Sequence, residues 1–164
     1  MNKKADTADT LGADRGPCTA AGPLEELRSA NGLIRLSRLI QDVFGEVSAR
    51  HDLTPVQARL LGVLAPEPKG MAELARIFGV ERAAMTGLVD RAERGGLVQR
   101  VSVPGDRRAV HVTVTELGRS TGSAVHADST AELDHLLAPL SAPEQDSFRS
   151  AMTKILAAAT PRNH

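Results

Sequence analysis

The sequence predicts a mainly α-helical fold with a small β-hairpin wing, and three observations within Met71 to Gly118 carry that expectation. Two helical patterns are separated by Gly79. The second of them, Val80 to Arg94, stops at Gly95-Gly96. Beyond it, Leu97 to Val103 and Ala109 to Val114 alternate apolar with polar residues on either side of Pro104-Gly105-Asp106-Arg107-Arg108. A helix that ends at glycine and feeds a short hairpin with an arginine-rich tip outlines a winged helix-turn-helix, here with flanking helices. The natural ligand of that shape is duplex DNA.

The bulk composition narrows the alternatives. A chain of 164 residues can bury a core without metal or disulfide staples. With three Phe and no Trp or Tyr it lacks the exposed rings on which single-stranded nucleic acid stacks. Twenty basic and 20 acidic residues give a formal charge of zero, so any contact with a polyanion must rest on local charge. Arginines 76, 82, 91, 94, 100, 107 and 108 face only the acids 81, 90, 93 and 106 in that stretch, a local balance of +3. The one cysteine, Cys18, excludes an internal disulfide and a cysteine-based metal cluster. The start, Met1-Asn2-Lys3-Lys4, lacks the apolar core of a signal peptide, and no apolar run approaches the roughly 18 residues of a membrane span, so a cytoplasmic location and no membrane partner are expected.

Residues 1–22, rich in Ala, Asp, Thr and Gly without periodicity, read as a disordered tail, in which Cys18 is a bystander thiol. From Pro23 to Arg50, apolar residues from Leu24 through Val47 recur at three- and four-residue steps. The resulting helix carries a stripe too wide for one small neighbour, and 23–53 is read as a dimerisation segment. Thr54-Pro55-Val56-Gln57 starts the next helix with an N-cap, a proline at the first position and a capping-box glutamine. Ala58, Leu60, Leu61 and Leu64 bury it before Pro66 and Pro68 end it. Gly70 to Phe78 forms a third helix.

At 100° per residue, Met85, Leu88 and Ala92 of the fourth helix share one face, flanked by Val89 and Glu81. Ala83, Gly87, Asp90 and Arg94 lie opposite, with Arg82 and Thr86 on one shoulder and Arg91 on the other. Small residues let a helix backbone approach base edges; Ala83 can touch a thymine methyl while Arg82 reaches a guanine edge or a phosphate. In the hairpin, Val101, Val103, Val110, Val112 and Val114 alternate with Arg100, Ser102, His111 and Thr113 as a half-buried ribbon. Arg107 and Arg108 at its tip suit a narrow minor groove, with Asp106 holding an arginine in place. His111 reads as a surface strand residue. The region 54–114 is thus the winged helix-turn-helix. Thr115-Glu116-Leu117-Gly118 caps a helix to about Leu137, and Ser141 with Glu144 caps a last one through Ala158, so that 115–160 supply further dimerisation helices.

Several of these stretches resemble the MarR family of bacterial regulators. Asp106-Arg107-Arg108 followed by Val114-Thr115-Glu116-Leu117-Gly118 is similar to its Asp-x-Arg…Leu-Thr-x-x-Gly signature. Glu73-Leu74-Ala75, Met85-Thr86-x-Leu88-Val89-Asp90-Arg91 and Gly96-Leu97-Val98-x-Arg100 match at the same order and spacing, and the likeness covers about residues 24–158. It implies a homodimer with interlocked terminal helices that reads a pseudo-palindromic operator. Arg82, Ala83, Ala84 and Thr86 would face the major groove, and Arg108 the minor groove, with Asp106 as its ion-pair partner and Arg107 nearby. Arg91 and Arg94 complete the DNA-binding candidates. The sequence departs from the family at Val114, where leucine is usual, and at Gly87, where a basic residue is common.

The resemblance also implies a small aromatic or phenolic effector, for which Arg35, Arg38, Phe44 and His51 are the candidate contacts. Cys18 does not match the family's peroxide-sensing branch, and the five scattered histidines do not match its zinc-sensing branch, so neither metal nor cofactor is expected. The expected function is a DNA-binding transcription regulator, a ligand-responsive repressor acting as a homodimer. The competing reading is a winged-helix protein-interaction module without specific DNA binding. An enzyme is not expected, because the sequence has no Gly-rich phosphate loop, metal-ligand spacing or nucleophile with a base.

Overall fold

The computed structural model describes residues 29–103 and 106–159, with only the backbone described at Val103 and 106–109. The predicted tail 1–22 with Cys18, and the first helix's predicted start at Pro23 with Leu24 and Leu27, lie outside the described residues. Helix α1 spans Ser29–Arg50 and α2 Pro55–Leu64. Between them Leu53 N donates to Ser48 O at 3.0 Å and Asp52 takes a left-handed φ of 57°, a conformation that Asp tolerates better than most residues. Thr54 caps α2 as its sequence predicts: Gln57 N donates to Thr54 Oγ1 at 3.3 Å, and Thr54 N to Gln57 Oε1 at 2.9 Å. Thr54→Ala is expected to cost about 1 kcal/mol of stability, read as a lower urea midpoint at unchanged slope.

Helix α3 is Met71–Phe78 and α4 Arg82–Arg94; strands β2 and β3 are Val98–Val103 and Asp106–Val114. Another strand, β1 (Lys69–Gly70), escaped the sequence reading. Two residues after Pro66 and Pro68 are too short to show alternation. Yet Lys69 pairs with Val112 and Gly70 with His111, giving an antiparallel sheet in the order β1-β3-β2. Lys69 Nζ bonds Glu67 at 2.8 Å and Glu73 at 3.0 Å, and its pKa is raised, chiefly by the hydrogen bond to Glu67.

The hairpin departs from the expected pattern at its outer end. Asp106 to Arg108 were expected in the loop, but β3 begins at Asp106. Ser102 pairs with Val110 while Val103 pairs with Asp106, so the register breaks between them and residues 107–109 are the excess on β3. The predicted inward alternation holds for Val112 and Val114, which are buried, and fails for Val110, which is 42% exposed beside the irregularity. A bulge of this kind bends a strand and re-aims its side chains.

Helix α5 is Glu116–Leu137, with Gly118 N donating to the cap Thr115 Oγ1 at 3.0 Å, and α6 is Ala142–Ala158. The Ser141 hydroxyl and amide both bond Glu144 and hold its carboxyl below its ordinary pKa. Leu60, Leu61 and Leu64 of α2, Leu74 of α3, Met85 and Val89 of α4, and Val98 and Val112 of the sheet form the fully buried centre. Helix α1 joins this core only near its C-terminus, at Val47 and Ser48, and α6 buries no residue.

Candidate nucleic-acid interface

The turn between α3 and α4 is set by one glycine. Gly79 adopts φ +64°, a left-handed value that suits glycine. Its N–H donates to Arg76 O at 3.2 Å, and that of Val80 to Ala75 O at 3.1 Å, closing α3. Helix α4 then buries Met85, Leu88, Val89 and Ala92, the face its periodicity predicts, and leaves Arg82, Ala83, Ala84 and Thr86 exposed. Thr86 Oγ1 donates to Arg82 O at 2.9 Å, so its methyl and its acceptor lone pairs are what it presents outward.

Gly87 and Arg91 act together on the exposed face. A Cβ at Gly87 would lie 3.5 Å from Arg91 Nη1, so the Arg91 side chain folds back over the bare Cα. Side chains in helices lean toward the N-terminus, and Arg91 brings positive charge to the spot where Gly87 has none. Arg94 is exposed and its Nε donates to Asp90 O at 3.3 Å. The side chains of Asp106, Arg107 and Arg108 are outside the described ones; their backbone is the irregular start of β3.

Arg100 belongs elsewhere than its place in the basic stretch suggests. Its Nη2 bonds Asp90 Oδ1 at 2.6 Å, its Nη1 pairs with Glu93 Oε2, and its backbone N–H donates to Glu93 Oε1 at 3.1 Å. The hydrogen bond to Asp90, first among several causes, raises the guanidinium's pKa. The cluster fastens β2 to α4 and offsets two carboxylates that would repel phosphate. Sequence reasoning counted Arg100 with the exposed cations, because the pairing spans seven to ten residues and two elements.

The four predicted effector contacts are not brought together. Phe44 lines a groove of about 330 Å³ among α1, α2 and α5, with Arg59, Val63, Val125, His126 and Ser129. His51 lies outside that groove: its Nε2 is 2.8 Å from Asp128 Oδ2, next to the Arg50–Glu132 pair at 2.9 Å. Arg35 and Arg38 are exposed on α1 and do not line it. The groove residues missed from the sequence include Ser129, 7% exposed, whose Oγ is the one buried side-chain polar atom without a partner among the described residues. Gly62 and Gly122 were the available signal. A Cβ on Gly122 would sit 3.2 Å from Leu61 Cβ, and the two glycines leave space between α2 and α5.

A short helix and a second, partly bare helix joined by a tight turn, with a hairpin packed behind them, present one helix to a groove of duplex DNA. The protein is therefore of the winged helix-turn-helix class. A model of the MarR family matches residues 51–109. The HTH-type transcriptional regulator PecS of Dickeya dadantii (strain 3937) is 24% identical over 127 residues, 75% of this chain and 76% of that one. The homoprotocatechuate degradative operon repressor of Escherichia coli is 30% identical over 89 residues, 54% of this chain and 60% of the repressor. The crystal structure of RV1404 from Mycobacterium tuberculosis superposes with a TM-score of 0.72 at 26% identity, covering 87% of this chain and 99% of that one. Over residues 51–109 the chain matches the MarR family, and its relatives, themselves transcription regulators, support a DNA-binding regulator. No helix among the described residues is long and apolar enough to cross a membrane.

Proposed function

We propose that the protein is a repressor that binds a pseudo-palindromic operator as a homodimer and leaves it when a small aromatic or phenolic acid binds. The observation that carries this reading is the bare N-terminal half of α4, exposed at Arg82, Ala83, Ala84 and Thr86 over a fully buried opposite face. Arg82 and Thr86 read the major groove, Arg91 and Arg94 hold phosphates, and Arg108, steadied by Asp106 with Arg107 beside it, enters the minor groove. Residues 54–114 form the reading region, and 23–53 with 115–160 the dimerisation helices.

Dimerisation is supported by what the single chain leaves uncovered. Leu33, Ile34, Leu39 and Ile40 on α1 are 39–56% exposed, and Met152, Ile155 and Leu156 on α6 are 38–72% exposed. Two α4 helices held about 34 Å apart match successive major grooves on one side of the duplex. A ligand that alters that spacing shifts the population away from the bound form. For the effector, the groove at Phe44 falls within the ordinary size of a small-molecule site, with an apolar lining and a few polar groups. The repressor relative named for homoprotocatechuate degradation makes a phenolic acid the first class to try.

The test is a fluorescence-anisotropy titration against the DNA upstream of the protein's own gene, beside a scrambled duplex, at several salt concentrations. Sequence-selective binding with a steep salt slope is expected. Arg108→Ala should weaken it by about 1–3 kcal/mol, the size of a lost base-reading contact. Unchanged affinity in that variant would remove the wing from the interface.

A further inference from the structure

Arg59 stands between the groove and the reading helix. Projecting from α2, its Nη2 donates to Ile77 O at 3.2 Å, and its Cζ lies 4.6 Å from the centre of the Phe78 ring. Ile77 and Phe78 are the last two residues of α3, directly before the Gly79 turn into α4. The last carbonyls of a helix carry partial negative charge, and a guanidinium that also stacks on an aromatic face is held in two directions at once. The same side chain forms a wall of the groove that holds Phe44, His126 and the unpartnered Ser129 hydroxyl.

These two positions set up a competition. A carboxylate is a stronger acceptor for guanidinium than a neutral carbonyl, by roughly a factor of two in hydrogen-bond strength. An anion in the groove therefore draws Arg59 off Ile77. Once released, the end of α3 keeps the two capping bonds of Gly79 and Val80 and the packing of Phe78 against the core, but loses its tie to α2. We infer that Arg59 is a positioning residue for DNA reading, which clamps the α3–α4 turn and hands groove occupancy on to it. Its regulatory half rests on the effector groove proposed above; its clamping half does not.

The decisive measurement is amide hydrogen exchange of Gly79 and Val80 in the full chain, for the native protein and for Arg59→Gln and Arg59→Lys. Arg59→Gln should speed exchange at these two amides about tenfold, within the usual range of coupling between sites, with the melting temperature little changed. Arg59→Lys, which keeps a cation over Phe78 and a donor for Ile77 O, should recover most of the protection. Unchanged exchange in Arg59→Gln overturns the clamp whether or not an operator is in hand.

A second arm reads function, on a duplex selected in vitro from random sequence. Arg59→Gln should lose about tenfold in affinity for that duplex, with the salt slope and the affinity for scrambled DNA preserved. A slope lower by about one would instead make Arg59 a phosphate contact and overturn the assignment. For regulation the probe is 4-fluorobenzoate, followed by its fluorine resonance. Broadening with native protein together with faster Gly79 and Val80 exchange supports the hand-over; broadening without it overturns the hand-over. No broadening removes the benzoate-accepting groove and with it the hand-over, while the clamp stands or falls on Arg59→Gln alone.

Discussion

Gly118→Ala is expected to destabilise the protein by more than about 3 kcal/mol, through overpacking against backbone. A Cβ built at Gly118 lies 1.9 Å from the carbonyl oxygen of Leu97 and 2.8 Å from its carbonyl carbon. That carbonyl cannot retreat cheaply. It accepts Thr115 N at 3.0 Å and Thr115 Oγ1 at 3.2 Å, while Leu97 N is tied to Ala92 O at 2.9 Å. Moving α5 away instead breaks the cap at Thr115 and uncovers Gly96 O, which Thr115 Oγ1 bonds at 2.6 Å. Alanine's better helix propensity returns only about 1 kcal/mol, too little to change the sign. Gly62→Ala is the control, since a Cβ there meets nothing within 4 Å. In urea titrations the midpoint of Gly118→Ala should fall steeply and that of Gly62→Ala hold or rise; equal midpoints would remove the close approach.

The glycine also shows what was legible in the sequence. Gly118 stands out as part of a family-like pattern, and Thr115 as an N-cap, but neither tells that Leu97 lies against them across the hairpin. Signals that act within one or two turns read well. The buried face of α4, the Thr54 cap and the Gly79 turn follow from spacing and residue type alone. Contacts between elements did not. Asp90 falls on the outward side of a helical wheel, yet it turns sideways to Arg100, and Arg59 reads as an ordinary polar position although it bridges α2 to the end of α3. The arginine tip was legible in composition but not in geometry, because the register break that places 107–109 depends on pairing with β2. Periodicity along α1 showed which apolar residues share a face; it carries nothing about the surface that covers them.

That uncovered face gives the other large effect. Ile155→Glu combined with Leu33→Glu is expected to make the protein monomeric and to lower operator affinity by about 10²–10⁴, the gain that linking two binding modules ordinarily provides. Both side chains are 55–56% exposed in the single chain, so the charges enter solvent-facing positions and the fold of each protomer should survive. In the proposed dimer these positions lie in the seam, where four carboxylates brought into apolar surroundings without partners oppose association. Each released protomer keeps its own α4 and wing and should bind at the weak non-specific level, roughly 10⁻⁴–10⁻⁶ M at physiological salt, for scrambled and operator duplex alike. Sedimentation velocity reads the mass and anisotropy the affinity. The melting temperature of the native protein should rise with concentration, as linked association requires, and that of the variant should not. A variant that still sediments as a dimer and binds its operator undiminished would place the interface on another surface and leave the exposed stripes of α1 and α6 without a partner.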